Sequence, residues 1–245
     1  YEALKIYMDM DFDGLRADIV QMLGGGRVNV NTRSFQNDMR TFETKDDVLT
    51  LLIHLGYLGY DSEKRDTFIP NKEIIEEFEN AMSVGGWAEV MRVLKASEKL
   101  LADTLRGDAD AVAEGLDQAH MEVASILSYN DENSGFLTDE SAVRNLAALI
   151  GLAYYSARRD YRVIRELPTG RGFADVVFLP LPSVGKPAIV VELKYNKSAE
   201  GAIRQIKDRQ YTKALEGYAG EILLVGVNYD KDGGEKGLQC VIERA

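Results

Sequence analysis

A single cysteine, Cys240, excludes an internal disulfide framework and any four-cysteine zinc site. It lies in Leu238-Gln239-Cys240-Val241-Ile242 and is expected to be a buried strand residue. Histidine is also scarce. His54 sits among Leu52, Ile53 and Leu55 with no second His, Cys or paired acid nearby, so it is expected to be a buried core residue rather than a ligand. No apolar run is long enough to span a membrane, and no basic head with an apolar core marks a secretory signal. The expected location is therefore the cytoplasm, with no membrane partner. No G-x-x-x-x-G-K-[ST] loop occurs, so the chain is not a self-sufficient nucleotidase of that class. No repeat at a fixed period is visible. Because the chain starts at Tyr1, it is expected to be a fragment.

What is present is a mixed, folding-competent sequence of 245 residues, 45% hydrophobic with five prolines, long enough for one large or two small domains. The net charge of -11 argues against nonspecific coating of nucleic acid. That charge is uneven: residues 158–213 hold twelve Lys/Arg against six Asp/Glu. This basic window either marks a functional face or is a set of scattered, solvated charges.

From the N-terminus, Leu15, Ile19, Met22 and Leu23 give a helix that Gly24-Gly25-Gly26 ends. Arg27 to Asn31 alternates like a short strand. Lys45–Leu55 reads as a helix, the segments about Tyr57 and Phe68 as a hairpin, and Asn71 as the cap of a helix running to Met82. Helix, strand, helix, hairpin, helix is a winged-helix-like order. Trp87–Leu105 and Asp108–Leu127 form a helical pair. Thr138 caps a helix from Asp139 to about Arg158, followed by a strand from Tyr161 to Leu167 and the strands described below. A helix from Ser198 to Tyr218 comes next. The almost wholly apolar strand Glu221–Asn228, expected to be central, and the strand Leu238–Glu243 close the chain.

The chemistry is concentrated on two apolar strands that carry charges. Asp175 opens Val176-Val177-Phe178-Leu179, and Glu192 and Lys194 end the run from Ile189 to Leu193. Alternation puts positions 192 and 194 on one face. Two carboxylates and a lysine at strand ends cost energy unless paired, solvated or bound to metal. Paired carboxylates suit Mg2+, a hard cation that takes oxygen ligands. The alternative is a structural ion pair in which Lys194 neutralises one acid, which leaves the other unbalanced.

Asp175, a spacer and then Glu192-Leu193-Lys194 resemble the signature of the PD-(D/E)XK nuclease superfamily: an acid, and then acid-x-Lys on the next strand. Gly170-Arg171-Gly172 before the first acid and Gln205-Ile206-Lys207-Asp208-Arg209-Gln210-Tyr211 after the lysine resemble one subgroup. Its nuclease-like domain ends large bacterial proteins that begin with an AAA-ATPase-like domain. The likeness covers roughly residues 130–245. The stretch Leu52–Leu58 through Phe68–Ile74 is similar to the lid region of the same proteins.

The resemblance implies an α/β fold, a restriction-endonuclease-like mixed sheet flanked by helices over 129–245. It also implies a separate helical, winged-helix-like lid domain over 1–83 and a helical connector over 84–128. It implies Mg2+, with Mn2+ as substitute, held by Asp175 and Glu192, with the Leu193 carbonyl as an added oxygen ligand. Glu140, in the first turn of its helix, is the candidate third acid, although the helix dipole alone favours an acid there; Glu166 is its rival. Lys194 would act on the attacking water or on the transition-state charge, Gln205 and Tyr211 would support the site, and Arg171 would contact phosphate. Six residues apart on one helix, Gln205 and Tyr211 would point about 120° from each other. The implied activity is hydrolysis of nucleic acid, DNA in the first instance. The implied partner is a missing ATPase-like domain. The alternative is a noncatalytic nucleic-acid- or protein-binding module. The acidic stretch Lys72–Glu79 argues against DNA reading by the winged-helix-like part and for packing on the ATPase-like part.

Overall fold

The computed structural model describes residues 2–10, 12–33, 35, 42–84, 86–127, 139–169, 172–182, 184–211, 215, 218, 220–231 and 237–245. The N-terminal elements are α1 (Glu2–Met8), α2 (Leu15–Leu23), β1 (Val28–Asn29), α3 (Lys45–His54), β2 (Gly59–Asp61), β3 (Asp66–Phe68) and α4 (Lys72–Ser83). From α2 on they follow the expected order, and α1 precedes it. β1 and β2 both pair with β3, antiparallel, in a small sheet ordered β1-β3-β2. Thr44 and Asp47 form a capping box at the start of α3, and the Asn71 side chain accepts the Ile74 N–H at 2.9 Å to cap α4. His54 departs from expectation. It ends α3 on the exposed side, with its ring on Phe35 at a centroid distance of 5.7 Å, because the apolar stripe of the helix is carried by Val48, Leu49, Leu51 and Leu52.

Two long antiparallel helices follow, α5 (Ala88–Arg106) and α6 (Ala109–Leu127), turned by Gly107 in a left-handed conformation. They pack on the C-terminal half. Thr104 Oγ1 and the buried Tyr154 hydroxyl share a hydrogen bond of 2.7 Å, and Asp117 Oδ1 accepts the Leu238 N–H at 2.9 Å. The next helix, α7 (Asp139–Ala153), stops short of the expected end, and Tyr155–Arg159 tightens into a 3-10 turn. Thr138 lies outside the described residues.

The main sheet contains β4 (Tyr161–Thr169), β5 (Gly172–Pro180), β6 (Ala188–Tyr195), β7 (Ile222–Tyr229) and β8 (Leu238–Arg244), in that spatial order. β6 and β7 are parallel and the other neighbours antiparallel. A parallel pair needs a crossover, and the segment between the two strands supplies it with α8 (Ala199–Asp208). Helices therefore cover both faces of a mixed α/β sheet, which is why β6 and the interior strand β7 are buried on both sides. Cys240, on β8 opposite Val227, is half-buried.

The two faces have separate cores. Ile189, Val191 and Leu193 of β6 join the large cluster shared with α5, α6 and α7, whereas Val190 joins Ile203 and Ile206 of α8. Glu192 and Lys194 thereby fall on the α8 face. That helix can lie close because β7 has Gly226 in register with Glu192; a Cβ there would come within 2.3 Å of the Ala199 carbonyl oxygen. The large cluster runs on through α1, α2, α3 and α4. Gly24, after α2, touches Gly151 of α7 so closely that a Cβ on Gly151 would lie 1.9 Å from the Gly24 carbonyl oxygen. Arg158 Nη2 also donates to the Leu23 carbonyl at 2.6 Å. The triple glycine is thus both a helix stop and a contact surface. Among the described residues no helix is long and apolar enough to cross a membrane.

Candidate active site

β5 and β6 part at the first acid. Their last backbone pair toward that end is Val176 with Val191. One residue on, the Asp175 carboxylate replaces the missing backbone partner: its Oδ2 accepts the Leu193 N–H at 2.7 Å. The split opens the sheet where Asp175, Glu192 and Lys194 converge.

Glu192 is 2% exposed. Its Oε1 accepts the Lys194 ammonium at 2.7 Å and also the Gln205 amide. Its Oε2 is buried with no hydrogen-bond partner among the described residues. Lys194 Nζ also donates to Gln205 Oε1 at 2.8 Å, so Lys194, Glu192 and Gln205 close a ring of hydrogen bonds. Gln205 Nε2 reaches the hydroxyl of the buried Tyr211 at 3.0 Å, and Arg209 approaches that hydroxyl at 3.4 Å.

This clamp corrects the expected helix from Ser198 to Tyr218. Ser198 caps α8 as its hydroxyl accepts the Gly201 N–H at 3.0 Å, but the helix ends at Asp208. Gln210 then takes φ 53, a left-handed residue that stops the helix. The chain turns back there, so Gln205 and Tyr211 meet although a continuous helix would have separated them.

The electrostatics follow from burial. Removal from water, and next the charge of Asp175, push the Glu192 pKa up to about 7, against the opposing pull of Lys194 and Arg209. Burial likewise raises Asp175 above the usual carboxylate range. The Leu193 N–H and Lys194 oppose that shift and Glu166 adds to it. The two acids are close enough to titrate as a pair.

Glu166 sits across from Asp175, between the pairs Arg165–Val176 and Leu167–Ala174. Its φ of 51 is left-handed, unusual for a non-glycine strand residue. This lets Ile164 and Leu167 both reach the α8-side core while Arg165 turns toward the other face. Glu166 itself is exposed. Arg165 is a residue whose part in the site sequence reasoning missed: its Nη1 is buried with no hydrogen-bond partner among the described residues, and its charge acts on Asp175. The only signal was its place in the basic window. Asn228, fully buried and in register with Lys194, was also missed; its Oδ1 accepts the Lys197 N–H at 2.9 Å and ties the exit of β6 to β7.

Glu140 lies in the first turn of α7, but its side chain is outside the description, and Arg171 lies outside the described residues altogether. Among the described residues no three His, Cys, Asp or Glu side chains gather as a metal site. What does gather is the buried Glu192 carboxylate, with one orphaned oxygen, and the partly buried Asp175, and that arrangement suits a small divalent cation.

Residues 145–237 match the model of the PD-(D/E)XK nuclease superfamily. This part of the chain is similar to that superfamily. The matched span holds every member of the Asp175, Glu192, Lys194, Gln205 and Tyr211 constellation. It leaves out Glu140 and the edge strand β8, which the fold supplies from outside it. No curated protein matches the chain.

Proposed function

We propose that this PD-(D/E)XK domain hydrolyses phosphodiester bonds of nucleic acid, DNA in the first instance, with Mg2+ or Mn2+ as cofactor. The observation that carries the reading is the lopsided environment of Glu192. One oxygen is loaded with two donors, while the other is buried and bare next to a second raised-pKa carboxylate. Asp175 and Glu192 would hold the cation, with Glu140 as the candidate further acid. When bound, such an ion supplies positive charge to the phosphoryl group and lowers the pKa of a water.

The protein's own contribution is placement. Lys194 is held by two oxygens, Glu192 Oε1 and Gln205 Oε1, and its role is to orient the attacking water and oppose the charge that develops on phosphate. Glu192 and Gln205 fix its direction, and Tyr211 fixes Gln205. Arg171, from the β4–β5 connection, would contact a substrate phosphate, while Arg165 acts on the charge of Asp175. The remaining assignments belong to the same proposal. Residues 1–83 form a winged-helix-like lid that packs on an ATPase-like part, 84–128 a connector and 129–245 the nuclease unit, in a cytoplasmic protein.

A second reading has one observation in its favour. The Lys194–Glu192–Gln205 ring satisfies itself internally, as a noncatalytic binding module that retained the fold would. The discriminating experiment incubates labelled single-stranded DNA, duplex DNA and RNA with the chain, with Mg2+, Mn2+ or neither. Cleavage that needs the cation and is lost in Lys194→Ala supports the hydrolase. Cation-independent binding with no cleavage of any substrate supports the module.

A further inference from the structure

Directly after Lys194, Tyr195 leaves the opposite face of β6, toward α6 and α7. It is in register with Tyr229 on β7, and the two rings stack at a centroid distance of 6.0 Å with planes 24° apart. His120 of α6 lies against Tyr229 at 4.7 Å. The strand ends that carry these tyrosines are tied together. Asn196, left-handed at φ 50, donates its N–H to the Tyr229 carbonyl at 2.8 Å and accepts the Lys231 N–H on its side chain at 2.9 Å. The three rings border a cavity of about 230 Å3, walled by Leu149 and with Asn145 and Lys231 also on its lining.

We propose that this cavity takes one unpaired nucleobase of a single-stranded nucleic acid whose backbone continues to the Asp175–Glu192–Lys194 site, a proposal that rests on the phosphodiester reading above. Flat rings offered by three side chains suit a base, since base–aromatic stacking is sequence-tolerant and does not need an edge to be read. The volume is below the ~300–1,000 Å3 typical of sites for drug-sized ligands, which fits one ring system and excludes a base pair. Asn145 places an amide, and Lys231 a cation suited to phosphate, on the same lining. His120 makes no hydrogen bond among the described residues, and burial pushes its pKa down, so it presents a neutral ring. Lys194 and Tyr195 are consecutive, with Cα atoms ~3.8 Å apart, so one strand end would hold the scissile phosphate on one face and a neighbouring base on the other. A base reaches that second face only if it is unstacked, which selects single strands or frayed ends over intact duplex.

The test uses the full chain in EDTA, so that nothing is cut, and a short single-stranded oligodeoxynucleotide with 2-aminopurine at successive positions. The expected result is altered 2-aminopurine fluorescence at one position. His120→Ala weakens binding by roughly tenfold, His120→Phe restores it because the ring is what matters, and Tyr195→Leu weakens it while keeping apolar bulk. The proposal is overturned if the oligonucleotide binds with no position perturbed and His120→Ala has the wild-type Kd, or if it does not bind at all. Cleavage with Mn2+, measured in parallel on the wild type, separates the two ideas. Cleavage with an unperturbed base sinks the pocket alone. A perturbed base that depends on His120, without cleavage, leaves the pocket standing and removes the hydrolase.

Discussion

The Asp175 carboxylate accepts the Leu193 backbone N–H at 2.7 Å, just where the β5–β6 ladder ends at Val176–Val191. A side chain thus does the work of a strand, and the acid is held in place by the element that also carries Glu192 and Lys194. The split is structural and chemical at once, and the two parts can be separated by substitution.

Asp175→Asn keeps an oxygen acceptor for Leu193 but removes the negative charge. It is expected to melt close to the wild type and to lose divalent-cation binding. Asp175→Ala orphans the Leu193 N–H and is expected to cost about 1–3 kcal/mol more. Thermal melting with and without Mn2+ checks both, and equal destabilisation by the two variants would contradict the assignment.

Gln205 bridges Lys194, Glu192 and Tyr211 without being a charge itself. Gln205→Ala leaves Lys194 held by Glu192 alone and takes one of the two donors from Glu192 Oε1. By the usual effect of residues that orient metal ligands, cation affinity or cleavage falls roughly 10–100-fold. Tyr211→Phe removes only the hydroxyl and is expected to cost about 0.5–1.5 kcal/mol of stability, with a smaller effect on cleavage. Steady-state kinetics and melting of the two variants test the order of these effects.

The raised Glu192 pKa gives a pH signature in cation-free protein. The folded state, with Glu192 at about 7, holds more protons than the unfolded chain between that value and the ordinary 4.5. Stability from this group is therefore fully present below about pH 4.5 and declines as pH rises to about 7, by a total on the order of 3 kcal/mol. Other carboxylates oppose it: Asp103, for one, has its pKa held down, chiefly by its hydrogen bond from Lys99. The clean readout is the difference between wild type and Glu192→Gln, which lacks the titration. Unfolding midpoints in urea at pH 5 and pH 8 give that difference. Cation affinity is expected to weaken below about pH 7, where a proton must leave first.

Gly151 and Gly24 test a different part of the account, the shared core of the N-terminal helices and the C-terminal half. A methyl on Gly151 would stand 1.9 Å from the Gly24 carbonyl oxygen, which cannot swing aside as a side chain end could. Gly151→Ala is expected to cost at least about 1–3 kcal/mol, as overpacking does. Gly56→Ala meets nothing nearby, and its cost is limited to the left-handed φ of 82. Denaturant unfolding of both variants checks the contrast.

The mixed sheet and its acids were legible in the sequence because charges on apolar strands are conspicuous. Asp175, Glu192 and Lys194 break runs that are otherwise Val, Ile, Leu and Phe, and alternation alone puts the last two together. Two single-residue conformations hid the rest. Gln210 ends α8 by turning left-handed, so the expected divergence of Gln205 and Tyr211 became a contact. Glu166 does the same inside β4 and brings Leu167 to the α8 face, opposite Arg165. His54 looked buried because its neighbours are apolar, yet the helix face it occupies is not the one that packs. The aromatic pocket was invisible for another reason. His120, Tyr195 and Tyr229 come from three distant segments: the parallel β6–β7 pairing joins the tyrosines, and the packing of α6 on the sheet brings His120 to them.

The measurement that bears most directly on the central claim is a calorimetric titration of Mn2+ into the intact chain, Asp175→Asn and Glu192→Gln at pH 7.5. The account predicts saturable binding by the intact chain that both substitutions abolish. Absence of binding by a folded wild-type chain, or binding that survives in both variants, would contradict it.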